Sequence, residues 1–108
     1  MGDEVGAGPE ALVVPALDKL VHEPARLAIM ANLYVVERAD FMFLMRRTEL
    51  TFGNLSSHLS KLEAAGYVRI EKTFKGKKPR TLVHLTKVGR KAFDSYRSAM
   101  TGMLENLP

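Results

Sequence analysis

A chain of 108 residues, 46% of them apolar, makes one globular domain with room for a single core. The absence of cysteine excludes disulfides, thiol chemistry and thiolate metal sites, and fits a cytoplasmic setting. The net charge of +4 is unevenly placed: residues 67–91 hold nine basic side chains and one acid, Glu71, so the rest of the chain is net negative. Positive charge gathered in one segment is the electrostatic footprint of a nucleic-acid binder.

Residues 1–9 are polar and glycine-rich and are expected to be disordered, which leaves 10–108 as the domain. No basic-then-apolar leader opens the chain, and the longest apolar stretch, residues 27–36, is broken by Asn32 and too short to span a bilayer. A first helix is expected from Pro15 to about His22, with Leu17, Leu20 and Val21 as its stripe. Pro24 ends that segment and can open a second helix, from about Ala25 to Glu37. Its widest apolar arc holds Leu27, Ala28, Met30, Ala31, Tyr34 and Val35, with Ile29 and Leu33 outside it, so it is a core helix. Ala39-Asp40-Phe41 is a joint, and Phe41 to Thr48 is a third helix with Arg46 and Arg47 outside.

Thr48-Glu49-Leu50 is a tight turn before a fourth helix over 51–65. Thr51 stands at its N-cap, Leu55, Leu59 and Leu62 recur on one side, and Gly66 suits the C′ position. The opposite side carries Gly53, Ser57, Ser60 and Ala64, with Asn54, Ser56 and Lys61 on its shoulders. Solvated helices ordinarily carry long charged residues there. Small side chains, hydroxyls and an amide instead let a helix lie close to another molecule and hydrogen-bond to it, as in a DNA major groove. Two short helices joined by a few residues, the second with such a face, form a helix-turn-helix over 41–65.

From Tyr67 the period changes to two. Val68, Ile70 and Phe74 share one strand face, interrupted by Lys72. A turn bearing Lys75, Lys77 and Lys78 follows, then a returning strand from Arg80 to Leu85, which completes a hairpin over 67–86. Of the three aromatics near this charge, Phe52, Tyr67 and Phe74, at least two are expected to be buried, which argues against a single-stranded RNA module. Thr86 is the N-cap of a last helix to about Leu107, whose Phe93, Tyr96, Met100, Met103 and Leu107 are spaced as a two-heptad seam. With three helices and a hairpin already filling the core, that seam suits a second copy of the chain, joined by Leu17 and Leu20.

Catalysis finds no support. There is no glycine-rich phosphate loop or nucleophile elbow, and adjacent Ser57 and His58 would point about 100° apart on a helix. His22, His58 and His84 lie in separate segments without metal-ligand spacing, and His58 is read as a histidine at the core's edge. No metal and no cofactor are expected.

The runs His22-Glu23-Pro24-Ala25-Arg26-Leu27, Leu50 through Leu59, Glu63 through Val68 and Leu85-Thr86-Lys87-Val88-Gly89-Arg90 closely resemble winged-helix transcriptional regulators of the ArsR/MarR type, most of all the small winged-helix DNA-binding branch. The resemblance spans about Leu12 to Tyr96. It implies a mainly α fold with a β-hairpin wing (α+β), a winged helix-turn-helix with N- and C-terminal dimerisation helices. It implies a homodimer on a two-fold operator, with the helix over 51–65 in the major groove and the basic wing over 74–80 on the backbone or minor groove. Asn54, Ser56, Ser57, Ser60 and Lys61 then face the groove, Lys75, Lys77, Lys78 and Arg80 are wing contacts, and Thr51 with Arg46 and Arg47 fixes register on phosphate. The alternative is a winged-helix module for protein–protein contact or RNA, without operator specificity.

Overall fold

The computed structural model describes residues 17–108; the disordered stretch expected over 1–9 and the start of the first expected helix lie outside them. Four helices and three strands follow: α1 (Pro24–Val35), β1 (Ala39–Asp40), α2 (Phe41–Thr48), α3 (Phe52–Ala64), β2 (Val68–Lys75), β3 (Lys78–Leu85) and α4 (Lys87–Glu105). No described helix is long and apolar enough to cross a membrane.

Residues 17–23 form a turn where a helix to His22 was expected. The Asp18 carboxylate accepts from the amides of Leu20 (2.9 Å) and Val21 (3.3 Å), giving them a local partner in place of a helical carbonyl. Glu23 then caps α1, its Oε1 accepting from the Arg26 amide at 2.8 Å, with Pro24 at the first helical position.

The buried face of α1 differs from the expected one. Ile29, Met30 and Leu33 have no exposure, whereas Val35 is 83% exposed. The helix packs on α2, α3, α4 and β3 together, so several of its sides are covered. A helix apolar nearly all round has no single periodic stripe that reveals its inward direction.

Ala39-Asp40 pairs antiparallel with β3, opposite Val83 and Leu82, making a third strand where a joint was expected; two residues are too few to show a period. The sheet order is β1-β3-β2. In the β2–β3 hairpin Lys75 faces Lys78 across the loop Gly76-Lys77. Gly76 has φ 65° at the first central position, which a type II′ turn reserves for glycine.

The helix-turn-helix and its stops are as expected. Thr51 caps α3, and the chain leaves it through a Schellman arrangement: Tyr67 N–H donates to Leu62 O and Gly66 N–H to Glu63 O, both at 2.9 Å, with Gly66 at φ 79°. Thr86 caps α4 through the Gly89 amide (3.0 Å), and its hydroxyl also donates to Gly66 O at 2.5 Å. The end of α3 and the start of α4 are thereby tied together. Leu44, Leu55, Leu59, Leu62 and Val83 join the α1 residues in the core.

The seam on α4 divides in two. Phe93 and Tyr96 are buried in the chain's own core, Phe93 against Tyr34 (centroids 5.1 Å apart) and Tyr96 bonded through its hydroxyl to His22 Nδ1 (2.8 Å). They are therefore not free for a partner helix, because α1 and the 17–23 turn already supply their partners. Leu17, Leu20 and Met100 also pack on this core in part. Leu104 and Leu107, beyond the domain's edge, are 55% and 54% exposed.

Candidate nucleic-acid interface

The three leucines of α3 are sunk in the core, so the opposite face of the helix is turned fully outward. Gly53, Asn54, Ser57, Ser60, Lys61 and Ala64 are all exposed. Thr51 is exposed as well, but its hydroxyl oxygen accepts from the Asn54 amide at 3.2 Å, so capping already uses it. Ser56 is only half-buried and lies on the flank toward the hairpin.

That flank is one wall of an open groove of about 680 Å³ between the helix-turn-helix and the wing. Phe52, Ser56 and Ser60 line it from α3, Phe41 and Met42 from α2, and Lys72, Arg80 and Thr81 from the hairpin. Of the expected site the groove brings together Ser56 and Ser60 of the helix and Arg80 of the wing, while Ser57 and the loop lysines lie outside it.

Lys75, Lys77 and Lys78 stand exposed around the hairpin loop. Arg80 differs from them. Its Nε donates to Asp40 Oδ2 at 3.1 Å, so its guanidinium is held against β1 rather than extended as a free cation. Asp40 also accepts from the Met42 amide at 2.8 Å as the N-cap of α2. Burial pushes the Asp40 carboxyl up, but the Met42 amide and the Arg80 guanidinium together outweigh it and hold the pKa below the usual carboxylate value. One carboxylate therefore fastens the wing to the start of the helix-turn-helix. Sequence gave no sign of this pair, because it joins residues 40 positions apart.

In the sequence Lys72 is only a break in an apolar strand face. That break was its signal: in the β2–β3 register it shares a face with Thr81, toward α3, and lines the groove. Among the aromatics the expectation of burial fails. Phe52 is 65% and Phe74 68% exposed, Tyr67 alone being half-buried. Phe74 sits opposite Pro79 next to the hairpin loop, beyond the reach of the core, and Phe52 is the first residue of α3. His58 is where it was expected, at the core's edge: its Nδ1 is 3.1 Å from Arg26 Nη1 and 4.0 Å from Glu23 Oε1, and it does not form a pair with Ser57.

A helix-turn-helix followed by a basic antiparallel hairpin, with a small-faced second helix exposed beside it, defines the winged-helix class. The chain belongs to the winged helix DNA-binding domain family, whose model matches residues 25–104. It is 34% identical over 89 residues to an uncharacterized protein of Methanocaldococcus jannaschii, covering 82% of this chain and 97% of that one. Among solved structures it is similar to a transcriptional regulator homologue from Pyrococcus horikoshii OT3, with a TM-score of 0.77 and 31% identity over 82% of this chain and 87% of that one. A MarR-family transcriptional regulator from Silicibacter pomeroyi matches with a TM-score of 0.64 and 25% identity, over 81% of this chain and 57% of that one.

Proposed function

We propose that the protein is a transcriptional regulator that binds duplex DNA sequence-specifically as a homodimer on a two-fold operator. The observation that carries this reading is the exposure of two surfaces on either side of one groove: the small polar face of α3, whose Ser60 reaches the groove, and the hairpin, whose Lys72 lines it and whose loop lysines stand exposed beyond it. A helix fits the major groove while a neighbouring cationic hairpin reaches the adjoining backbone or minor groove. The description of the Pyrococcus relative as a transcriptional regulator homologue supports the same reading.

In this arrangement Asn54, Ser57, Ser60 and Lys61 meet base edges, the Asn54 amide being suited to adenine. Ser56, on the groove wall, and Lys72, Lys75, Lys77 and Lys78 meet phosphate, which sets affinity and register rather than sequence. Thr51, Arg46 and Arg47 lie at the outer edge of the helix-turn-helix and add backbone contacts, and Arg80 acts by holding the wing to Asp40. The second copy docks on the far end of α4, where Met103 and Leu104 lie on the last turn of the helix and Leu107 follows just after it.

The exposed Phe52 and Phe74 favour one second reading, the stacking of unpaired bases in a single-stranded or RNA ligand. One titration separates the two: fluorescence anisotropy with a mixed-sequence duplex and a single strand of equal length, between about 50 and 200 mM salt. Duplex binding should fall by about 10³–10⁵ across that range if roughly 6–10 phosphates are contacted. Absence of duplex binding at the lowest salt would overturn the DNA reading, and preference for the single strand would favour the second.

A further inference from the structure

Phe41, Met42 and Phe52 line the groove as an apolar shelf, with the rings of Phe41 and Phe52 in contact. Isolated exposed apolar side chains are ordinary on protein surfaces. This group differs in its setting. Phe52 is 65% exposed and Met42 49%, and the shelf adjoins the polar recognition face of α3, with Lys72 and Arg80 on the opposite wall. Phe52 is also held in place: the Phe41 ring lies 5.0 Å from it at 51°, a tilted aromatic contact, and the Thr51 cap fixes the backbone where α3 begins.

We propose that Phe52 is a specificity-determining residue that reads the 5-methyl group of a thymine. The proposal rests on α3 being the recognition helix, as argued above. The N-terminal residues of such a helix are those that contact base edges. The one apolar group a base edge offers in the major groove is the thymine methyl, and a phenyl ring is a side chain that contacts it. Within the groove Lys72 and Arg80 are balanced by Asp40 and Glu63, so DNA is the occupant argued from the polar face of α3 beside Phe52 and from the exposed lysines of the hairpin loop. Phe52 then contributes at a thymine what Asn54 contributes at an adenine, and each half-site contains a thymine whose methyl is required.

The test begins with a duplex selected from a random pool by the full chain. Each thymine of a half-site is exchanged in turn for deoxyuridine, which lacks only the methyl group. At one position the native chain should lose about fourfold in affinity, the worth of one buried methyl-sized group. Phe52→Ala should bind the thymine duplex at least that much more weakly and should be indifferent to the exchange at that position. Phe52→Leu keeps an apolar side chain and a sound helix start, and should retain part of the sensitivity even if the alanine variant folds poorly. A native chain indifferent to the exchange at every thymine would overturn the proposal while leaving duplex binding intact, as would a Phe52→Ala variant that keeps the full loss. Failure of the native chain to bind any duplex would instead remove the DNA reading itself.

Discussion

The α-carbon of Gly89 lies against the backbone of Tyr67: a β-carbon at position 89 would stand 2.0 Å from the Tyr67 carbonyl oxygen, 2.8 Å from its carbon and 2.9 Å from its Cα. All three neighbours are main chain, and the same carbonyl accepts from the Thr86 amide at 3.0 Å, so it cannot swing aside. The first turn of α4 is thus seated directly on the exit from α3. Gly89→Ala should destabilise the fold by about 3 kcal/mol, the upper end of what overpacking costs. Gly102→Ala is the matched control. A β-carbon there meets nothing within 4 Å, and the substitution should add about 0.5–1 kcal/mol through helix propensity. Shifts of opposite sign in the urea unfolding midpoint for two Gly→Ala changes in one helix would be the confirming result.

Gly89 also illustrates which parts of the structure the sequence displays. Caps and stops are local chemistry, so Thr51, Gly66 and Thr86 announce the bounds of α3 and α4 without reference to anything distant. The small outer face of α3 is equally visible, because it departs from what a solvated helix carries. Contacts between distant segments are not visible. Nothing near Gly89 names Tyr67 as its neighbour, nothing near Arg80 names Asp40, and the apolar circumference of α1 hides which side meets the core. Phe93 and Tyr96 fit a heptad and a core equally well by spacing, and only the position of α1 assigns them to the core.

Tyr67 donates its hydroxyl to the Asp18 carboxylate, which fastens the 17–23 turn to the head of the hairpin. The carboxylate bond, with some burial and the repulsion of the Asp18 charge, pushes the Tyr67 phenol up from 10.0 to about 12. A pKa raised in the folded state means that the contact contributes fully below pH 10 and is lost as pH rises through about 12. Asp18→Asn keeps an acceptor for the turn amides and removes the charge. Phenolate absorbance should then show the Tyr67 titration moving down toward 10, and the variant's stability deficit should narrow across the same alkaline range. An unchanged phenolate curve would show that the bond does not persist in solution.

The Asp40–Arg80 pair and the loop lysines should fail in different ways. Arg80 and Asp40 side chains are 37% and 32% exposed, so Arg80→Gln should cost under about 1 kcal/mol of stability. With its pKa lowered, Asp40 stabilises the fold above pH 3.8, and that contribution is lost as pH falls through the lowered value; in Arg80→Gln the loss should begin at higher pH. On DNA, Arg80→Gln should weaken binding with the salt slope unchanged, since the guanidinium already has its counter-ion. Lys77→Ala with Lys78→Ala should flatten the slope by roughly 0.9 for each phosphate contact removed. A flattened slope for Arg80→Gln would make Arg80 a phosphate contact after all.

Dimerisation through the far end of α4 is tested most cleanly at Leu104, which is 55% exposed, whereas Met100 packs partly on the chain's own core. Leu104→Asp should leave the melting transition of the domain nearly unchanged and convert the sedimenting species from dimer to monomer. Operator affinity should fall steeply with it, because a single half-site loses the gain from linked binding. A variant that still sediments as a dimer would place the interface elsewhere.

Gly53 sets stability against binding. It occupies the second position of α3, is exposed, and has open space where a β-carbon would go. As a structural residue it is a poor choice, since alanine there should stabilise the helix by up to about 1 kcal/mol. Glycine is useful at an exposed helical position when another surface must come close to the backbone. Gly53→Ala should therefore raise the unfolding midpoint, and Gly53→Gln should also fold well, yet duplex affinity should fall in the order Gly, Ala, Gln. Circular dichroism melts and anisotropy titrations on the three proteins give both readouts. Stability and affinity rising together would mean that the small face of α3 does not lie against DNA at Gly53, and the docking of the helix would have to be rotated toward the Asn54 and Lys61 side.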